Sequence, residues 1–420
     1  MAQNNKFFET HIKQWLKQFR VTENTVSLVD EGVISLIALA VALKAERPVL
    51  IELPGYAMGE KVKAEMELWA KTLGIGKRIE ILPDGTSCGK KLAEAEIPRA
   101  TLLNTVLHAP PDILLASSAA VMSPAPPPEK MRSSELTLKK GMELPLGRLA
   151  EMLVEMDYDD EPEVTQPGEF SRRGGLIDIF SPAQNYPARI EYWGDTIDSI
   201  RQFTPETQSS VREISEYKLI MRSGSEEEGE SDGKSDFTDY VRLFQPMILR
   251  VFPEESRKSL ERFFDPPVLD KWEKLKRDPL WSNAVQLLDV AESAKLPPDS
   301  AMQCPVFPSS RHILHMVPQG AEENLSELVR QISSNLIRQL ADESYKISIA
   351  GRTEGDLLSL RDWLRNEGLD SLESIECIQA EVPCGIFLPD ENFALFSEYE
   401  LFSSPRRLLS HKTIVPEIED

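Results

Sequence analysis

The sequence predicts an α/β protein in which parallel-sheet architecture is interrupted by a small antiparallel α+β unit. Three observations carry that reading. Up to about residue 126, apolar runs of strand length alternate with helical periodicity, the pattern of a parallel sheet faced by helices. From Ser134 the texture changes to strands in close succession joined by a short turn. After Asp236 the α/β alternation returns.

Taken in order, residues 33–46 form an apolar helix and RPVLIEL at 47–53 a buried strand. An amphipathic helix follows with Val62, Met66, Trp69 and Leu73 on one face, at the i, i+4, i+7, i+11 spacing of a core stripe. A strand at 78–82, a helix near 91–107 and a strand at 112–116 complete the first unit, 1–126, and the proline run from Pro124 reads as a stiff linker. The antiparallel unit, 127–221, holds a strand at 135–139, a short helix marked by Leu146, Leu149, Leu153 and Met156, and three strand-like runs. These are 173–180, 188–193 and 196–203, the last two joined at Gly194-Asp195 as a hairpin, with a final strand at 217–221. The segment 222–236 is acidic, rich in Gly and Ser and without an apolar anchor. It reads as a flexible loop, because it cannot bury enough surface to offset its ordering entropy. A second α/β unit is expected over 237–412, with helices at 322–344 and 354–368 and a strand at 345–350, followed by a tail at 413–420.

Composition narrows the function classes. Of 420 residues, 41% are hydrophobic and 28% charged, an ordinary globular balance for two to four domains. The apolar run at 33–43 is too short to span a bilayer and is bounded by Asp30, Glu31 and Lys44, so no membrane partner is expected. The first residues lack a signal-peptide apolar core, which points to the cytoplasm. Cys88, Cys304, Cys377 and Cys384 lie far apart and read as structural thiols, and His312 and His315 lack a third metal ligand nearby. A net charge of −22 disfavours a DNA grip over the whole surface and makes a protein the default partner.

An α/β unit invites a search for a phosphate site. A phosphate loop needs G-x-x-x-x-G-K-[ST]. Gly85-Thr-Ser-Cys-Gly89-Lys90-Lys91 has its glycines one residue too close and a lysine where the hydroxyl belongs. Gly55 to Lys61 fails on spacing, and Gly74-Ile-Gly76 precedes a strand where a dinucleotide site needs it to open a helix. The stretch Leu28 to Ser35, which leads into the first apolar helix, carries Asp30 and Glu31 and no lysine. Carboxylates suit a helix N-terminus but repel a triphosphate. No nucleophile–base pair or metal motif is found either, so no cofactor and no enzymatic activity are expected of this chain.

One segment is specific. Residues 167–208, PGEFSRRGGLIDIFSPAQNYPARIEYWGDTIDSIRQFTPETQ, resemble the small antiparallel domain shared by the transcription-repair coupling factor family (Mfd) and the excision-repair subunit UvrB. They follow its pattern P-G-x-[FY]-x-x-R-G, then [IL]-D-[ILV]-F-P, then P-x-R-[ILV]-[DE]-[FY]-[FW]-x-D, with Ser181 where proline is usual and Thr204 where an acid is common. The C-terminal runs GIFLP and FALFSEYELF resemble the last strand pair of the same module. The resemblance implies UvrB-like domains 1a, 2 and 1b, that is, degenerate helicase-like parallel-sheet domains around the small insert. It favours the coupling-factor family over UvrB because the phosphate loop is lost and residues 84–134 lack the tyrosines of the UvrB strand-opening hairpin.

What the resemblance further implies is a docking platform for UvrA that recruits nucleotide excision repair to stalled RNA polymerase. RNA polymerase and DNA would be reached only through domains absent from this chain. The family's UvrA-contacting residues map onto Arg173, Arg189 and Trp193. The pleat independently places Arg189, Glu191 and Trp193 on one face of their strand and Ile190 and Tyr192 on the other. Arg and Trp are enriched in interface hot spots. Competing readings stay open: Trp193 packed against a neighbouring domain, Arg189 in a surface pair with Glu191, and Arg172 in place of Arg173. For the whole chain the alternatives are a degenerate UvrB-like DNA-binding component and a gene remnant that meets no partner.

Overall fold

The computed structural model describes residues 6–19, 26–29, 31–87, 90–91, 93–222, 235–288, 306–307 and 325–402. The acidic segment expected at 222–236 lies outside them except at its ends. The tail at 413–420, Cys88, Cys304, His312 and His315 are outside as well.

In the first unit the alternating pattern becomes strands β1 (Val26–Val29), β2 (Val49–Leu53) and β3 (Ile79–Leu82), a small ribbon of β4 (Thr86–Ser87) and β5 (Lys90–Lys91), and β6 (Ile113–Ser117). α1 (Lys6–Gln18) precedes them, α2 (Ile34–Lys44), α3 (Tyr56–Leu73) and α4 (Ala93–His108) run between them, and α5 (Ser118–Met122) follows. β2 is buried along its whole length, as a strand covered on both faces must be. Val49, Ile51 and Leu53 join a core with α1, α2 and α3, whereas Leu50 packs toward α4 and α5 on the opposite face. α2 is the apolar helix read from the sequence, buried from Ile34 to Ala42. Among the described residues no helix is long and apolar enough to cross a membrane.

Two unit boundaries differ from the sequence reading. The proline run at 124–129 opens into α6 (Pro128–Ser133), because proline is tolerated at a first helical turn, and Met131 packs into the core beneath α4 and α5. The first unit therefore extends past 126. The span 237–412, expected as one unit, is shared between two sheets. The strands that follow the insert, β15 (Met247–Val251) and β16 (Val285–Leu288), enter the middle of the first sheet, which also takes β17 (Val306–Phe307). Its seven strands are all parallel, in the order β17-β1-β16-β15-β2-β6-β3. Only β18 (Lys346–Gly351), β19 (Ile375–Gln379), β20 (Ile386–Leu388) and β21 (Phe393–Ser397) form the separate second sheet, with β20 antiparallel to β21.

The chain leaves the first unit and returns to it side by side. Pro124 bridges Asp236, and the Ala125 N–H donates to the Ser235 carbonyl at 3.0 Å. The insert between is tied down at Glu135. Burial works against that carboxylate's charge, but bonds from Asn104 and His108 on α4 and from Lys218 at 3.2 Å hold its pKa below the usual range. Thr101 Oγ1, also on α4, donates to the Pro182 carbonyl at 3.1 Å.

The join between β2 and β15 rests on a buried ion pair. Arg250 lies directly opposite Glu52, and its Nε donates to Glu52 Oε2 at 3.1 Å. Trp281 Nε1 donates to the same oxygen at 3.1 Å, and Trp272 faces the guanidinium with its ring centre 5.3 Å away. Removing one partner leaves a charge without compensation in the interior. Arg250→Met is expected to cost about 3–5 kcal/mol in a urea titration of the full chain. A loss below about 1 kcal/mol, the ordinary value of an exposed pair, would contradict that account.

Candidate functional site

The insert builds a six-stranded sheet in the order β13-β12-β11-β10-β9-β8, beside a two-stranded ribbon of β7 (Leu136–Lys139) and β14 (Glu216–Leu219). Its strands are β8 (Asp159–Asp160), β9 (Glu169–Arg173), β10 (Leu176–Ile179), β11 (Ala188–Trp193), β12 (Thr196–Phe203) and β13 (Ser210–Glu213). α7 (Leu146–Glu155) turns Leu149 and Leu153 under the sheet, where they meet Phe170, Ile177, Ile179, Ala188, Ile190, Ile197 and Ile200. The run expected as one strand at 173–180 is instead the far half of a hairpin. Arg173 pairs with Leu176 across Gly174-Gly175, and Gly174 takes a positive φ of 59°. Glycine is the residue for that first central position of a two-residue hairpin. Gly194, at φ 62°, serves the Trp193–Thr196 turn in the same way.

With the apolar residues committed to the core, the pleat sends their neighbours to the other face. One row across the strands reads Ser171, Asp178, Arg189, Arg201, Glu213, and the next reads Arg173, Leu176, Glu191, Ser199. A bulge between Glu191 and Tyr192 shifts the register without changing this division, and Trp193 continues the outer face at the end of β11. Arg189, Glu191 and Trp193 therefore share one face, and Arg173 lies on it as well; the two arginines and the indole are in three different states.

Trp193 is 84% exposed and packs against no neighbouring domain among the described residues. Directly before it, Tyr192 turns inward against the core, and burial pushes its phenol up to about 12. Arg173 is exposed, as is Arg172, and Arg173 donates through Nη2 to the Pro162 carbonyl. Arg189 is the most constrained. Its partner is Asp178, not Glu191. Nε and Nη2 each donate to one carboxylate oxygen at 2.8 Å, and the Asp178 side chain is only 2% exposed. Those bonds, above all other influences, raise the Arg189 pKa further. Glu191 is held by Ser199 Oγ at 2.7 Å and by Arg201 at 3.3 Å.

Sequence reasoning missed Asp178, Phe203, Gln208 and Arg201. Asp178 had a signal: a lone acid in the otherwise apolar run Leu176-Ile-Asp-Ile-Phe must have a partner if it is buried. The departure at Ser181 has a physical reading too. Proline has no N–H, whereas the Ser181 N–H donates to Tyr217 Oη at 3.0 Å. That hydroxyl also lies 3.1 Å from the Ile179 and Tyr186 carbonyls, and burial drives its pKa well above the usual tyrosine range.

Elsewhere two places bear on chemistry. At the step from β1 into α2, Glu31 pairs with Lys61, Gly32 and Val33 are buried, and Cys384 Sγ donates to the Gly32 carbonyl at 2.7 Å. After α8 (Phe237–Phe244) and α9 (Pro253–Phe263) comes α10 (Pro266–Leu275), and a cleft of about 340 Å³ lies between α5, α8 and α10, lined by Arg242, Lys271, Lys274, Arg277 and Asp278 among others. Arg242 is paired with Asp239 and Asp278, and Lys271 with Asp236. Among the described residues no group of three His, Cys, Asp or Glu side chains could hold a metal ion.

Comparison with known proteins places these features. Residues 136–223 match the family described as the UvrB interaction domain. The chain is 33% identical to the transcription-repair-coupling factor of Bacillus subtilis over 126 residues, 30% of this chain and 11% of that protein. It is 41% identical to that of Myxococcus xanthus over 90 residues, 21% and 8% of the two chains. For Mycobacterium bovis the figures are 36% over 114 residues, 27% and 9%. The chain is thus homologous to transcription-repair-coupling factor over part of its length and carries a UvrB interaction domain, and these matches span 8 to 11% of the relatives.

Trp193→Ala is expected to leave the urea midpoint nearly unchanged, within about 0.5 kcal/mol, because the indole contributes little to the folded core. Tyr217→Phe is expected to cost about 1–3 kcal/mol by leaving the buried Ser181 N–H without an acceptor. Equal losses from the two variants would mean that Trp193 is a packing residue.

Proposed function

We propose that this chain is the UvrA-docking platform of a transcription-coupled repair factor and performs no chemistry of its own. The observation that carries the reading is the exposed indole of Trp193 at the end of a face of braced charges, inside the matched UvrB interaction domain. An aromatic anchor ringed by ordered polar groups is the composition of an interface hot spot. Free tryptophan area of this kind is unfavourable to leave in water, so a partner that covers it gains apolar burial.

The absence of nucleotide chemistry is supported at the start of α2. There the acidic Glu31 is already paired with Lys61, Gly32 and Val33 are buried, and the Gly32 carbonyl accepts from Cys384 Sγ, so no free cation or open glycine backbone is offered to a phosphate at these residues. RNA polymerase and DNA would be engaged by other parts of such a factor.

The test is a titration of purified UvrA against the purified chain. Trp193→Ala and Arg173→Glu are each expected to weaken binding by at least tenfold, with the fold intact by circular dichroism; a hot-spot truncation costs about 2 kcal/mol or more. Arg189→Glu should cost more, since it also sets two carboxylates against each other. Undiminished binding by all three variants would remove the site assignment.

A second reading, a degenerate UvrB-like DNA-binding component, is favoured by the cleft that gathers Arg242, Lys271, Lys274 and Arg277. Three aspartates neutralise part of that charge, and Trp272 and Trp281 nearby are buried and give no stacking surface. Gel shift with a damaged duplex at physiological salt separates the readings. The docking platform gives weak or no shift, and a defined complex abolished by Lys274→Glu would favour DNA binding.

A further inference from the structure

Arg189 is held far more tightly than a surface cation needs. Asp178 takes Nε and Nη2 in a two-point fork, both at 2.8 Å. The Phe203 ring lies against the guanidinium, centroid to Cζ 5.0 Å. Gln208 Oε1 accepts from Nη2 at 3.5 Å, and the amide cannot turn over because its Nε2 donates to the Val164 and Pro205 carbonyls at 3.2 and 3.0 Å. Gln208 holds this position from a left-handed backbone, φ 56°, which a non-glycine residue rarely adopts without a purpose.

A guanidinium has five N–H donors in fixed directions. The fork and the Gln208 contact use those of Nε and Nη2. Nη1 is left with two N–H groups, and among the described residues it has no acceptor. The side chain is 24% exposed, on the same face as Trp193 and Arg173.

We infer that Asp178, Phe203 and Gln208 form a socket whose role is to aim Nη1 of Arg189 outward, so that Arg189 offers the partner a directed donor for one oxygen acceptor. This rests on the UvrA reading above. Asp178 is then a positioning residue that acts through Arg189 and touches no partner. The same geometry excludes lysine at 189, since an ammonium drawn to Asp178 has no second nitrogen to present. A preformed donor also lowers the ordering cost of binding, because the guanidinium loses little freedom when the partner arrives.

A double-mutant cycle on UvrA affinity tests this, using the full chain. Asp178→Asn is expected to weaken binding about tenfold, and Arg189→Ala by at least as much. Asp178→Asn added to Arg189→Ala is expected to bring no further loss beyond about twofold, since nothing remains to be positioned. Gln208→Gly, which suits the left-handed backbone and leaves the core untouched, is expected to give a smaller loss that also vanishes in the Arg189→Ala background. Arg189→Lys should bind no better than Arg189→Ala. Side-chain NMR gives a readout apart from binding: the Arg189 Nε–H signal should be protected from exchange in the wild type and lose protection in Asp178→Asn. Losses that add for Asp178 and Gln208, or full binding by Arg189→Lys, overturn the inference and leave UvrA docking standing. A wild-type chain that does not bind UvrA removes the docking reading and the inference together.

Discussion

The strand pleat in the small domain is the constraint on which the proposed docking face depends. From Phe170 to Phe203 the chain sends Ile177, Ile179, Ala188, Ile190, Ile197 and Ile200 into one core over α7. A shift of one residue in any strand would move that apolar set into water, so the register is strongly fixed. Fixing the inner face also fixes the outer one. Arg189 has no other place than opposite Asp178, and Glu191 none other than opposite Ser199. The surface chemistry follows from the packing beneath it.

The same logic explains why the large parallel sheet and the small one are suited to different tasks. Helices cover both faces of the large sheet, so its strands carry apolar residues on both sides and leave little surface for recognition. Its one charged step in the middle, Glu52 with Arg250, is turned inward and satisfied by Trp281. The small sheet packs its main apolar core on one face, and its other face carries only the small cluster of Val164, Phe180 and Phe203. Its outer face holds arginine, glutamate and an exposed indole; Asp178 is buried there, the two-point bond from Arg189 offsets its desolvation, and the hydrogen bonds among these groups keep the long side chains ordered. Order of that kind before binding reduces what association must spend on side-chain freedom.

Much of this was legible in the sequence. The strands at 188–193 and 196–203 and the turn between them follow from alternation and Gly194-Asp195, and the sharing of one face by Arg189 and Trp193 follows from the pleat. Other features were hidden for identifiable reasons. Gly174-Gly175 is a turn inside a run whose apolar pattern continues on its far side, so local periodicity merges the hairpin into one strand. β15 joins β2 although Arg250 and Glu52 are 198 residues apart, and no local pattern reports a parallel pairing across an insert. The partner of Arg189 was hidden for a similar cause. Glu191 is near in sequence and on the same face, but Asp178 is the residue the hairpin register sets opposite. The cations of the cleft at α8 and α10 are likewise scattered along the chain and meet only in the fold.

The central proposal is that UvrA touches the outer face of the small sheet. Backbone hydrogen exchange, read by mass spectrometry with and without saturating UvrA, addresses that directly. The docking account predicts new protection confined to peptides of β9 to β12, around Arg173, Arg189 and Trp193. Protection that appears instead over α8 and α10, or no change within residues 169–203 while UvrA is bound, would contradict it.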